Sequence, residues 1–194
     1  MPLWGASDSD ESKPKWLTTA EKKTVYATTA GWVHEAWNAD MGNDNTSAQV
    51  EVLACASALT TSLGAADITS LEFVTTSWDA SEGGTFSVLV RWNEAVDVVE
   101  VGSGLKINLT RTPDGGSAAS HTLRYASGTG TNELTFSLAI AGGVAAADTV
   151  FSLLAQNVVK AGATSLKDAG TNTDSAVEIT SAQCTAAGTI TATA

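Results

Sequence analysis

The clearest pattern in the sequence is an alternation of apolar and polar side chains in its C-terminal two thirds. In the runs 85–93 and 133–140, every second side chain is apolar. A period of two is typical of a half-buried strand, and turn residues such as Gly and Asp separate the runs. This spacing predicts an all-β fold, with a β-sandwich over residues 67–194. The predicted strands are 68–77, 85–93, 105–110, 121–127, 133–140, 150–159 and 176–180.

The short segment Gly-Thr-Gly-Thr at 128–131 has two alternative interpretations. A phosphate-binding loop would need a helix N-terminus behind it and usually a lysine at its end. The residues that follow, 133–140, instead have the strand period. The segment is therefore predicted to be the turn of a β-hairpin.

The first 66 residues have a different texture. Residues 23–66 are predicted to form a small β module, because 24–33 and 50–56 are β-compatible runs joined by a turn-rich loop. The alanine-rich stretch 47–63 also fits a helix, although a strand is favoured for its first half. Residues 1–22 have apolar positions with neither period, so they are predicted to be an extended arm that orders against something else. Fully stretched, some 16 of these residues would reach about 50 Å.

The charge balance narrows the classes of partner. The chain has 194 residues, with 21 acids and 10 bases, for a formal charge of −11. Such a field repels nucleic acid and anionic membrane surfaces, so neither is an expected partner. No apolar run is long enough to span a bilayer, and the first residues carry acids and a proline where a signal peptide needs basic and apolar residues. Synthesis in a cytoplasm without export by that route is expected.

No catalytic pattern is present in the sequence. His34 and His121 are far apart, and nothing in the sequence links them. Cys55 and Cys184 are expected to be buried, reduced thiols, with a disulfide as the alternative. We therefore expect a non-enzymatic protein without a cofactor.

Loop acids offer a weak alternative for metal binding. Four aspartates in predicted loops have oxygen ligands of the kind that calcium prefers, but none has the spacing of an EF-hand. No metal site is assigned to them. They are Asp40, Asp44, Asp168 and Asp174.

Tryptophan is unusually frequent, with six residues against two tyrosines. Trp78 and Trp92 fit strand or core positions. Trp4 and Trp16 lie in the polar arm, where an aromatic side chain can anchor a partner with little loss of rotamer entropy. The alternative is that both fold back onto their own domain. The candidate partner-binding residues, with lysines to pair the acids of a partner, are Leu3, Trp4, Lys13, Lys15, Trp16 and Leu17.

Two parts of the chain also resemble known protein families. The segments TFSVLVRWNEAVDV, LRYASGTGTNELTFSLAI and LKDAGTNTDSAV resemble the bacterial immunoglobulin-like repeats of large surface proteins, over roughly residues 67–181. The sequence departs from the repeat pattern at Ala95, where proline is usual, and at Thr171, which separates Gly170 from Asn172. The resemblance implies an immunoglobulin-like sandwich that serves as a scaffold or adhesion module.

The N-terminal 60 residues are similar to virion structural proteins of tailed phages that infect marine cyanobacteria. The similarity rests on the starting segment MPLWG, the KPK segment, a Gly-Trp strand and a Val-Glu strand. The matching positions are Pro2, Leu3, Trp4, Gly5, Lys13, Pro14, Lys15, Gly31, Trp32, Val50 and Glu51.

This second resemblance implies a capsid decoration protein on the outer surface of the phage head. Its expected partners are the major capsid protein and neighbouring copies of itself. A neck, tail or fibre component is one alternative, and a module that binds host-surface glycans is another.

Overall fold

The computed structural model describes residues 13–34 and 51–194, and within these ranges strands form most of the regular structure. The all-β prediction is confirmed at this level. Three short helices occur in the described part: α1 (Glu21–Thr24), α2 (Leu59–Ser62) and α3 (Ser181–Ala187). The strands are β1 (Val25–Thr28), β2 (Gly31–His34), β3 (Glu51–Cys55), β4 (Ile68–Phe73), β5 (Trp78–Asp79), β6 (Gly83–Val99), β7 (Leu105–Thr112), β8 (Ala119–Ser127), β9 (Thr131–Ala141), β10 (Val150–Ser152), β11 (Gln156–Asn157), β12 (Val159–Lys160), β13 (Ser165–Asp168), β14 (Glu178–Ile179) and β15 (Thr189–Thr193).

Thirteen of the described strands are hydrogen-bonded into one mixed sheet. Its main path runs β3-β2-β1-β6-β9-β8-β7-β10-β15-β5. Strands β4 and β13 pair with β6 beside this path, and β12 pairs with β7. Strands β11 and β14 form a separate antiparallel pair. Strand order departs from chain order at several points, so most of the pairing is between distant segments.

The long strand β6 connects the two parts of the molecule. Along one side it pairs with β9 from Gly83 to Arg91, and this register shifts between Arg91 and Val96. Within the shifted stretch, β1 joins in parallel through Ala27 opposite Glu94. The irregularity in the β6–β9 ladder therefore coincides with the place where the N-terminal strands attach.

The core follows from the alternation seen in the sequence. Phe86, Val88 and Val90 on β6 are fully buried, and the alternate residues of β7 are buried in the same cluster. The Phe86 ring centroid lies 5.0 Å from that of Phe151 and 5.5 Å from that of Trp78. We call this part of the chain, residues 66–194, the body.

Two tryptophans predicted to lie in the core are confirmed there. Trp78 is 4% exposed and Trp92 is 1% exposed. The Trp92 Nε1 group donates a hydrogen bond to the Ala176 carbonyl at 3.1 Å, so its polar atom is satisfied on burial.

The N-terminal module, residues 25–63 as far as they are described, has its own small core. Strands β1 and β2 form a hairpin, and β3 pairs antiparallel with β2. Gly31 allows the close approach of β2 to β3, because a Cβ on it would lie 2.0 Å from the Ala54 carbonyl oxygen. The buried cluster consists of Val25, Ala27, Trp32, Leu59 and Leu63.

The Gly-Thr-Gly-Thr segment is the turn of a β-hairpin, as predicted. Strands β8 and β9 pair antiparallel on either side of it. Gly128 has a φ of 117°, and a Cβ there would lie 1.9 Å from the Glu133 carbonyl oxygen. Glycine is required by this turn geometry.

The arm differs from the expected extended conformation over its described part. Residues 13–20 form turns that lead into α1, and the Lys13 Nζ group donates to the Lys22 carbonyl at 2.8 Å. Lys13 is only 2% exposed. A local hydrogen bond and burial against the chain's own strands therefore replace the extended conformation here. Residues 1–12 lie outside the described ranges.

Four further details correct the expectations from sequence. The single strand predicted over 150–159 is divided into β10, β11 and the first residue of β12. Neither α3 nor β15 was predicted. In the stretch with two alternatives, a strand (β3) is followed by a short helix (α2), so each alternative applies to a different half. Both cysteines are free thiols, but Cys55 is exposed, because β3 lies at the end of the sheet path described above.

Candidate interaction surface

The first part of the candidate interaction surface is a turn in which two neighbouring apolar side chains point to different surroundings. The Leu17 amide donates to the Pro14 carbonyl at 3.3 Å. Leu17 packs against the small cluster of the N-terminal module, whereas Trp16 is 62% exposed. Lys15, next to it, is also exposed. The turn thus presents an indole and an ammonium group side by side to solvent.

The second part is helix α1, which is fixed at its start by Thr18 and Glu21. The Glu21 carboxylate accepts hydrogen bonds from the Thr18 amide and hydroxyl, both at 2.7 Å, and these bonds lower the pKa of Glu21. Lys22 and Lys23 follow at once on the helix. Among the described residues, neither lysine has an ion-pair partner. We call Lys15, Trp16, Lys22 and Lys23 the N-terminal face.

The N-terminal face differs in charge from the rest of the molecule. Residues 13–34 contain four lysines and one glutamate, a net charge of +3. Residues 51–194 contain 6 bases and 14 acids, a net charge of −8. A positive region on a negative protein favours a negatively charged partner surface.

A polar cavity of about 410 Å³ lies at the junction of the N-terminal module and the body. Lys13 and Trp32 contribute from the N-terminal side, and Asp67 and Asn93 from the body. The Asn93 side-chain oxygen accepts from the Asp67 amide at 2.7 Å, and burial raises the pKa of the Asp67 carboxyl. The junction is therefore polar and not a continuous apolar core.

Beside this cavity is a smaller groove of about 240 Å³ between α1, β4 and α3, which we call the α1–α3 groove. It has lysines on one side and small or apolar side chains on the others. Its lining includes Lys22, Lys23, Ser70, Leu71, Ala182 and Ala186. Ser70 is 5% exposed, and its hydroxyl is buried without a hydrogen-bond partner among the described residues.

The predicted binding residues are divided by the structure. Lys15 and Trp16 are on the surface, whereas Lys13 and Leu17 contact their own chain. Leu3 and Trp4 lie outside the described ranges. Lys13 is thus occupied by an internal hydrogen bond in this conformation, because its ammonium group faces the Lys22 carbonyl.

Sequence reasoning missed Lys22 and Lys23 as members of the surface. The available signal was their clustering, because residues 13–23 contain four of the ten bases of the whole chain. Their contact with the α1–α3 groove depends on α3, which is distant in sequence.

The two loop acids in the described part of the chain, Asp168 and Asp174, have separate partners. Within 13–34 and 51–194, no group of three or more His, Cys, Asp or Glu side chains is placed to hold a metal ion. The Asp168 carboxylate accepts from the Gly170 and Thr171 amides at 2.5 and 2.7 Å, and Asp174 forms an ion pair with Lys160 at 3.6 Å. Asp40 and Asp44 lie outside the described ranges.

The two histidines occupy separate places. His34 Nε2 lies 2.7 Å from the Thr24 hydroxyl, where it links β2 to the end of α1. His121 lies beside the Phe151 ring in the body, and burial, together with the Arg111 guanidinium, lowers its pKa. The structure does not bring the two imidazoles into one site.

Comparison with protein-family models, curated proteins and solved structures gave no match to this chain. In the described part of the chain, no helix has the length and apolar character needed to cross a membrane.

Proposed function

We propose that this chain is a non-enzymatic virion structural protein, a capsid decoration protein that binds the outer face of a phage head through its N-terminal region. The observation that carries the proposal is the N-terminal face. An exposed indole and three lysines are concentrated at one place on a protein that is otherwise acidic. Aromatic and basic side chains of this kind are typical anchors of protein interfaces.

Two further observations support this function. The sequence of the N-terminal 60 residues is similar to virion proteins of tailed cyanobacterial phages. A decoration protein also binds many times on a repeating lattice, so individually modest contacts add up over the particle. A body with a net charge of −7 fits a position on the outside of the shell, away from packaged DNA.

The detailed fold of the body is also part of this proposal. We infer that the body is an immunoglobulin-like sandwich, in which alternate residues of β6 and β7 face one core from two layers. The support is that Phe86 and Val88 share a buried cluster with Ile107 and Leu109, although β6 and β7 are not neighbours in the sheet.

Copy number in purified particles tests the proposed position. Quantitative mass spectrometry would compare this chain with the major capsid protein of the phage that encodes it. Hundreds of copies per particle are expected for a decoration protein. A handful of copies would instead indicate a neck, tail or fibre component, and absence from the particle would contradict a virion role.

The N-terminal face is tested by Trp16→Ala in the full chain. Binding to heads stripped of this protein is expected to weaken by about 2 kcal/mol, because a large aromatic contact is lost. Leu154→Ala is a matched control, since Leu154 is also an exposed apolar residue, at 58%, but belongs to the body and not to the N-terminal face. Unchanged affinity of Trp16→Ala, in a variant that unfolds in urea as the wild type does, would exclude Trp16 as an anchor.

A further inference from the structure

We propose that the α1–α3 groove, with Lys22 and Lys23 at its rim, binds residues 1–12 of a second copy of this chain, so that neighbouring copies are linked head to tail. This inference rests on the proposed function in one respect, because a capsid lattice would hold copies of the chain side by side. The binding of residues 1–12 to the groove does not itself involve the capsid.

The groove fits one large apolar side chain. Its volume of about 240 Å³ accommodates an indole, and Leu71 and the alanines of α3 offer apolar contacts. The Ser70 hydroxyl in this lining is buried and has no hydrogen-bond partner among the described residues. The groove thus combines an apolar lining with an unused polar group.

The charge at the rim of the groove favours a negatively charged occupant. Lys22 and Lys23 both line it, and neither is paired with a carboxylate among the described residues. A neutral apolar segment would leave these charges without a partner. An acidic segment would pair them, with a gain that salt reduces.

The sequence of residues 1–12 has both properties. Leu3 and Trp4 are its large apolar residues, and the acids Asp8, Asp10 and Glu11 follow them, with no lysine or arginine in the segment. Its net side-chain charge is −3. The four residues from Trp4 to Asp8 span at most about 14 Å, so an indole in the groove leaves the acids within reach of lysines at its rim.

If the occupant comes from a second copy, the same contact can be repeated from one copy to the next. Each copy carries one acidic segment and one basic groove, which makes the contact heterologous and able to continue from copy to copy. Twelve residues reach about 40 Å at most, which is enough to cross onto a neighbouring molecule. Occupation of the groove by the same chain's own segment is the competing outcome, and the experiment separates the two.

Self-association of the full chain is the first measurement. Sedimentation velocity over a range of protein concentrations should show assembly that grows with concentration at low salt and falls at high salt. Lys22→Glu with Lys23→Glu should raise the dissociation constant roughly tenfold or more. Lys106→Glu with Lys167→Glu makes the same charge change on β7 and β13 and should leave assembly intact. A wild-type chain that stays monomeric at low salt and high concentration would overturn the proposal.

A charge exchange identifies the occupant. Asp8→Lys with Asp10→Lys should also block self-association, because the segment then repels the lysines. Mixing this variant with the Lys22→Glu, Lys23→Glu variant should restore association, since each pairing across the mixture is again between opposite charges. If both variants stay monomeric in the mixture, the groove does not bind a second copy.

Trp4→Ala tests the apolar part without changing charge. We expect the dissociation constant for self-association to rise roughly thirtyfold. Because this change lies outside the groove, it remains informative if the groove variants fold poorly. An unchanged dissociation constant would contradict the role of the indole. Failure of the capsid proposal would appear in the copy number alone, whereas failure of this inference would appear in self-association alone.

Discussion

Two buried clusters of very different size stabilise the described part of the chain. The body has 26 buried residues in one cluster, and the N-terminal module has five. The body core gathers the alternate side chains of many strands, including the ring contacts of Phe86. The N-terminal module adds a single bridge to β6 and a polar cavity at the junction.

The difference teaches which part depends on the other. The five described residues of the small cluster bury much less apolar surface against the conformational entropy of their strands than the 26 of the body do. The N-terminal module therefore relies on β6 as a template. The partner binding that we propose would lie in the part of the chain with the smaller core, where local opening costs the least free energy.

The largest effect is expected in the body core. Phe86→Ala removes a fully buried ring that contacts Phe73, Trp78 and Phe151, and should lower the free energy of unfolding by about 3–5 kcal/mol. Urea denaturation followed by tryptophan fluorescence measures this loss. Val74→Ala, at a position 54% exposed, is the control and should change stability by less than about 0.5 kcal/mol. Equal effects of the two changes would mean that the ring cluster does not dominate.

An intermediate effect, confined to one region, is expected in the N-terminal module. Leu59→Ala removes a buried side chain from the five-residue cluster and should destabilise the module by about 2–4 kcal/mol. Hydrogen exchange measured by mass spectrometry should show loss of protection in β1 and β2. Strand β9 serves as the internal control. If β9 loses protection to the same extent, the two regions unfold as one unit and the comparison fails.

The smallest effect is expected on acidification. The pKa of His121 is lowered from its ordinary value of 6.5 by burial and by Arg111, so the folded body resists protonation that the unfolded chain accepts. Its contribution to stability is present above pH 6.5 and is lost as the pH falls below that value. Urea denaturation at about pH 7.5 and about pH 5.5, on either side of that value, should show this loss, and His121→Asn should reduce it. An unchanged pH dependence in the variant would assign the loss to other groups.

The sequence pattern predicted the body well because its strands are long and half-buried. The alternating runs 85–93 and 133–140 correspond to β6 and β9. The glycine-containing segment 128–131 forms the turn that was predicted from its sequence. The segment 150–159 was not predicted correctly as one strand. Phe151 and Leu153 are buried but Leu154 is exposed, so the chain leaves the sheet there although its composition continues to favour strand.

The start of helix α3 is marked in the sequence by a capping motif and not by hydrophobic periodicity. Its residues are mostly small and carry no strong apolar stripe, yet Thr180 and Gln183 form a capping box at its start. The spacing Thr-x-x-Gln was visible in the sequence. The junction cavity and the α1–α3 groove had no such signal, because Lys22, Ser70 and Ala182 come together only through pairing between distant strands.

The attachment of β1 in the middle of β6 also determines where a mechanical load would enter the protein. In the sheet, β1 contacts the body at Glu94 of β6. Strand β6 pairs with β4, β9 and β13 on either side of that point. Because β1 is joined to β6 by one described bridge while β6 is held by several ladders, a pull on the N-terminus would separate the N-terminal strands from β6 before it moved β6 itself. If the N-terminal region is fastened to a shell as proposed, these strands would yield under load while the body stays folded.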